Sequence, residues 1–347
     1  MERSVSKLLL AVCLALVNLP AFAQSAAAAS PSADAALQDK SAALAAQLDR
    51  LLAASRSPRD QALRWDLGRW QPGNGIGAPT PRASLHDAAA HAPSDRLVQW
   101  LWARASPAES GCLGARACPG RAQALANLEP GNGAAWMPVL EQAWDDEDDA
   151  AIDAALSRMA QAKDFDDLFA DYAGAWVEVE NRFPAYVAAR SAAASASGSP
   201  ASSEVSSIVV AIARSSASAI PSMATLVNVC DRGKHPEAAA ARFDRCGAIG
   251  RLMLGKATTV LSRSMGVAVL RRSGQLTEQD RFANRALRWS MQQSADLHLD
   301  AKDPEAFRRY FADLMQTGNE LAAMERQVAR AGKVASPPAE WKAPGED

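Results

Sequence analysis

The chain has 347 residues, a mass of 36.7 kDa and a formal net charge of −2. That length buries a core without help from metal or disulfides, and the charge excludes a generally basic nucleic-acid binder. Alanine supplies 77 positions and aromatics only 6%, and with 20 glycines and 19 prolines this composition excludes collagen, mucin and coiled-coil classes and argues against a strand-rich fold.

The chain opens with a basic head ending at Lys7, an apolar run from Leu8 to Val17, Pro20, and small residues at Ala21 and Ala23. This is the pattern of a secretory signal, so residues 1–23 are expected to be removed by cleavage after Ala23, and the mature protein to be periplasmic or secreted. No later apolar run approaches the 20 residues that a membrane crossing needs, so no transmembrane segment is expected after cleavage. Cleavage also removes Cys13 and leaves Cys112, Cys118, Cys230 and Cys246. Four cysteines allow three pairings, and proximity favours Cys112–Cys118 and Cys230–Cys246 as structural disulfides.

Residues 24–36, small and polar, are expected to be disordered. An N-terminal helical region is expected over 37–189. Leucines 37, 44, 48, 51 and 52 predict a helix from Ala36 to Ala54, and Ser57-Pro58 predicts the start of a second. Pro72 to Pro81 reads as a loop, and Ser94 to Arg104 as a helix rich in tryptophan. Residues 127–156 then run from Pro130 and Asn132 through Trp136 and Leu140, past the acidic Asp145-Asp146-Glu147-Asp148-Asp149, to Ile152, Ala155 and Leu156. This stretch resembles a tetratricopeptide unit, and the resemblance implies a pair of antiparallel helices that stack on neighbours to bury both faces. A second hairpin is expected between Ala162 and Tyr186. Residues 190–204, small and of low complexity, form a candidate linker. A C-terminal helical region follows over 205–331, with helices expected at 205–213, 222–230, 237–254, 258–270, 277–294, 304–316 and 319–331. Residues 332–347 are expected to be a disordered tail. The fold class is therefore all-α, built from stacked antiparallel hairpins in a solenoid-like or irregular array.

Charge separates along the chain. Thirteen acids face two bases between 141 and 180, and twelve bases face five acids between 231 and 290. Asp145, Asp146, Glu147, Asp148 and Asp149 on one side, and Arg251, Arg271, Arg272, Arg281, Arg285 and Arg288 on the other, are the candidate binding residues. Five successive acids without a glycine splay around a helix end and do not wrap a calcium ion. His86, His91, His235 and His298 are scattered, so no metal and no cofactor is expected.

Glu109-Ser110 and the Gly120 to Gln123 spacing resemble motifs of peptidoglycan-cleaving lytic transglycosylases. That resemblance implies Glu109 as a catalytic acid, although the aromatic expected after the Glu-Ser pair is missing. The expected function is a non-catalytic exported protein that binds a protein partner in the cell envelope as scaffold, adaptor or toxin-neutralising partner. A cell-wall hydrolase and a periplasmic small-molecule binder with an apolar pocket between the two regions are the rivals.

Overall fold

The computed structural model describes residues 31–69, 85–105, 118, 120–196, 203–298, 304–334 and 336–343. Among them the chain is all-α: fifteen α-helices, one 3-10 turn at Gly133–Trp136, and only isolated β-bridges. In chain order the helices are α1 (Pro31–Ala53), α2 (Pro58–Arg69), α3 (Leu85–His91), α4 (Arg96–Arg104), α5 (Gln123–Leu128), α6 (Met137–Asp145), α7 (Asp149–Ala160) and α8 (Phe169–Asn181). They continue with α9 (Pro184–Ala196), α10 (Ser203–Val229), α11 (Ala240–Lys256), α12 (Val260–Arg272), α13 (Glu278–His298), α14 (Pro304–Thr317) and α15 (Glu320–Arg330).

Local chemistry sets most of these boundaries. Asp95, Asp148, Thr259 and Asn319 each accept a backbone N–H from the first turn of α4, α7, α12 and α15, satisfying donors that have no partner within the helix. Pro58 and Pro304 open their helices, where a missing N–H costs nothing. Gly274 and Gly318 follow α12 and α14 at φ values of 74° and 61°, the left-handed geometry that ends a helix.

The helices bury two main cores. Trp65, Trp100, Tyr172 and Trp176 centre the first, drawn from α1 to α4, α8, α9 and the N-terminal half of α10. Leu140, Leu156, Met159, Phe165 and Ile249 centre the second, drawn largely from α6, α7, α11 and the C-terminal half of α10. Helix α10 touches α6, α8, α9, α12 and α14, several of which are distant from it in sequence. Ile208, Ala211 and Ser215, then Ser222, Met223, Leu226 and Val229, are buried at helical spacing along it.

Several expectations need correction here. Two helices were expected at 205–213 and 222–230, but α10 is continuous through Pro221. Proline inside a helix costs about 3 kcal/mol, and burial of both flanks of the helix in separate cores opposes that cost. The stretch Ser207–Val229 is also long and apolar enough to cross a membrane by length and composition alone, a feature the sequence reading passed over. The candidate linker is partly helix: 190–196 belong to α9 and 203–204 to α10, while 197–202 lie outside the described residues. Residues 336–343 of the expected tail pack on α13, where Trp341 meets Trp289 and Ala343 is buried. The signal segment, the 24–30 part of the expected N-terminal disorder, and the 72–81 loop lie outside the described residues.

Helices α11 and α12 approach each other at a glycine pair. A Cβ on Gly266 of α12 would stand 2.7 Å from the Gly250 carbonyl of α11 and 2.9 Å from the Leu254 nitrogen. Backbone meets backbone at that crossing, closer than alanine permits.

Candidate interaction surfaces

Residues 127–156 form a hairpin in which the 3-10 turn and α6 run against α7. Asn132 fixes its entry: its Oδ1 accepts the Ala134 and Asp166 amides, and its Nδ2 donates to Glu129 and to the Asp166 carbonyl, at 2.8 to 3.0 Å. Trp136 is half-buried against the second core, with its indole N–H donating to the Pro130 carbonyl at 3.2 Å.

The acidic run occupies the tip of this hairpin. Asp145 ends α6, Asp146 and Glu147 form the turn, Asp148 caps α7 and Asp149 opens it. Asp148 and Asp149 sit at a helix N-terminus, where the dipole favours carboxylates; Asp145 and Asp146 sit at a C-terminus, where it disfavours them. Glu147 adopts φ 54°, a left-handed conformation in which a non-glycine residue costs about 1–2 kcal/mol. Asp145, Asp146 and Glu147 are all exposed.

The opposite-sign stretches meet directly. The Arg242 guanidinium, buried between α7 and α11, donates to Asp149 Oδ1 and Asp153 Oδ1 at 2.8 Å each. Arg245 adds a longer contact to Asp153 at 3.6 Å. The neighbouring corner is closed by the disulfide Cys230–Cys246, with Cα atoms 5.7 Å apart. Arg272 braces that corner through Asp231 Oδ2 at 3.0 Å, and His235 from the enclosed loop stands edge-on to Trp144, ring centroids 5.7 Å apart. The disulfide loop thus backs the acidic tip. Cys118 is also disulfide-bonded, and its expected partner Cys112 lies outside the described residues.

The six arginines are distributed over α11, α12 and α13. Arg251 stands on α11, 3.9 Å from Asp280, and Arg271 is exposed at the end of α12. Arg272 is committed to Asp231, Arg281 pairs with Glu278 one turn away, and Arg285 donates to the carbonyls of Pro338 and Ala339. Arg288 is half-buried on α13. Exposed Phe282 stands beside Arg281.

A buried polar junction went unread in the sequence. Segment 162–168 threads between Asn132 and Ala257 through two parallel bridges, and a Cβ on Gly133 would meet the Phe165 ring at 2.9 Å. At its end Asp167 accepts the Thr259 hydroxyl at 2.7 Å and the Ser262 hydroxyl at 2.5 Å. On the other side of the α12 N-terminus, Glu320 Oε2 accepts the Val260 amide at 2.8 Å, and Tyr310 also bonds its carboxyl. Burial pushes Glu320 up to about 7, helped by the nearby Asp167 carboxyl and opposed by the Val260 and Tyr310 bonds. Asp167 is raised by burial too, against its hydroxyl donors. The only sequence signal for this junction was the pair Asp166-Asp167 ahead of Thr258-Thr259, whose meeting is a tertiary event.

Between the two cores lies a cavity of about 10 Å³, lined by residues that include Trp100, Arg104, Met137, Asp167, Ser222 and Met223. That is room for roughly one water, whereas ligand pockets run to about 300 Å³ or more. Among the described residues no cluster of His, Cys, Asp and Glu is arranged to hold a metal. Glu109 lies outside the described residues.

No family model, no curated protein and no solved structure matches this chain.

Proposed function

We propose that the chain is an exported, non-catalytic helical protein that binds another protein in the cell envelope, with the acidic tip of the α6–α7 hairpin as its main contact. The observation that carries this reading is the placement of Asp145, Asp146 and Glu147. Two stand against a helix dipole and the third in a left-handed turn, all exposed on a backbone held by Arg242, by the Asp148 cap and by the disulfide loop. A turn selected for stability alone would carry glycine or asparagine at position 147. Strained acidic positions on a rigid mount fit recognition of a basic partner surface. The exposed arginines Arg251 and Arg271 and the Arg281–Phe282 edge offer a second, opposite contact.

The test separates stability from recognition. Glu147→Gly is expected to stabilise the chain by about 1 kcal/mol in urea unfolding while weakening capture of its partner from envelope extract. Neutralising Asp145, Asp146 and Glu147 together should abolish a capture that high salt also abolishes. A partner retained unchanged after neutralisation of both the acidic tip and the arginines contradicts the reading.

A further inference from the structure

Arg285, Trp289 and Gln293 lie at i, i+4 and i+8 on α13 and so line one face of it. A strap, residues 333–334 and 336–343, lies along that face in the opposite direction. Lys333 Nζ donates to the Gln293 carbonyl at 3.4 Å, the Trp289 indole N–H to the Val334 carbonyl at 2.9 Å, and Arg285 Nη2 to the carbonyls of Pro338 and Ala339. A turn closed by the Trp341 amide on the Pro338 carbonyl, at 3.1 Å, brings Trp341 back edge-on against Trp289 with centroids 5.2 Å apart.

Arg285 and Trp289 thus read the strap through backbone carbonyls and one aromatic ring. That readout tolerates many side chains but demands a proline-set turn with an aromatic three residues later. Proline preorganises such a segment, and tryptophan and arginine are the side chains that dominate binding hot spots. The fit leaves one donor unused: Arg285 Nε is buried with no hydrogen-bond partner, which is costly for a buried donor. An occupant supplying one more acceptor there would bind better than the strap does.

We infer that this face of α13 is a docking surface for a Pro-x-x-aromatic segment of a partner protein, and that the strap holds it in cis until such a segment displaces it. Tethering keeps the strap at an effective concentration in the millimolar range, so the surface opens only to a better-fitting segment. The inference deepens the protein-binding reading and rests on it for its partner, but it does not involve the acidic tip.

The probe is a fluorescein-labelled peptide spanning residues 333–343, titrated against the full chain and followed by anisotropy. The Trp341→Ala chain should bind it at least tenfold more tightly than the unaltered chain, because the cis competitor is weakened. Replacing Pro337 and Pro338 of the peptide by alanine should lose at least tenfold, and adding Arg285→Ala to the Trp341→Ala chain should do the same. Pro338→Gly in the full chain is a second way to loosen the strap if Trp341→Ala does not fold. No tighter binding by a loosened chain that keeps the native circular dichroism spectrum overturns the inference, as does equal binding of the proline-free peptide. A concentration-dependent dimer that Trp341→Ala abolishes also overturns it, in favour of strap exchange between two copies. Failure here leaves the salt-dependent capture by the acidic tip standing, and failure of that capture leaves the peptide titration standing, so the two readings fail separately.

Discussion

Glu320 is met by the Val260 amide, the Tyr310 hydroxyl and, through the α12 N-terminus, the Asp167 carboxyl, and it is 3% exposed. Burial raises its carboxyl from the ordinary 4.5 to about 7, so the folded chain holds a proton that the unfolded chain releases. Stability from this group is therefore full below pH 4.5 and is lost as the pH rises through 7, a swing of roughly 3 kcal/mol. Asp60 and Asp313 act in the other direction. Burial raises Asp60, but bonds from Arg182 and Ser55 outweigh it, and Arg330 holds Asp313 down. Their contribution is present above about pH 4 and is lost only below it. The two windows do not overlap. Urea unfolding at pH 5, 6, 7 and 8 should show stability falling as the pH rises, and Glu320→Gln should flatten that slope. A slope unchanged by the substitution contradicts the assignment to Glu320.

The α11–α12 crossing sets the close packing of the second half of the chain. Gly250 and Gly266 bring two backbones together, and a methyl added at Gly266 would meet the Gly250 carbonyl and the Leu254 amide nitrogen, neither of which can swing aside. Gly266→Ala is expected to destabilise by about 1–3 kcal/mol, even though alanine favours a helix by about 1 kcal/mol. Gly255, also on α11, has open space around its Cβ direction, so Gly255→Ala should stabilise by roughly 0.5–1 kcal/mol. Thermal melts of the pair check the argument, because alanine must act with opposite signs on two adjoining helices. Helices of this kind were largely legible in the sequence. Caps such as Thr259 and Asn319, prolines such as Pro58 and Pro304, and leucine spacing act within a few residues of chain, and the Cys230–Cys246 pair followed from proximity. What was not legible is tertiary. The continuity of α10 through Pro221, the meeting of Asp167 with Thr259 and Ser262, and the strap on Trp289 all depend on residues far apart in the chain. The glycine contact was not legible either, since Gly250 and Gly266 meet only once α11 and α12 pack. Of the candidate site, the acidic turn could be read directly. Asp149 and Arg272 each pair with a partner from another segment, Arg242 and Asp231, which their places in the chain do not announce.

At the scale of the molecule, α10 joins what the sequence divided. Ile208 and Ala211 belong to the first core, and Met223, Leu226 and Val229 to the second, along one uninterrupted helix. The acidic tip and the disulfide corner both rest on the second core, which α10 joins to the first. This shared helix is the central structural claim, and native-state hydrogen exchange on the full chain tests it most directly. Amides around Ile208–Ala211 and around Met223–Val229 should exchange through one common opening, with the same free energy and the same dependence on denaturant. Two separate openings, one for each end of α10, would contradict it.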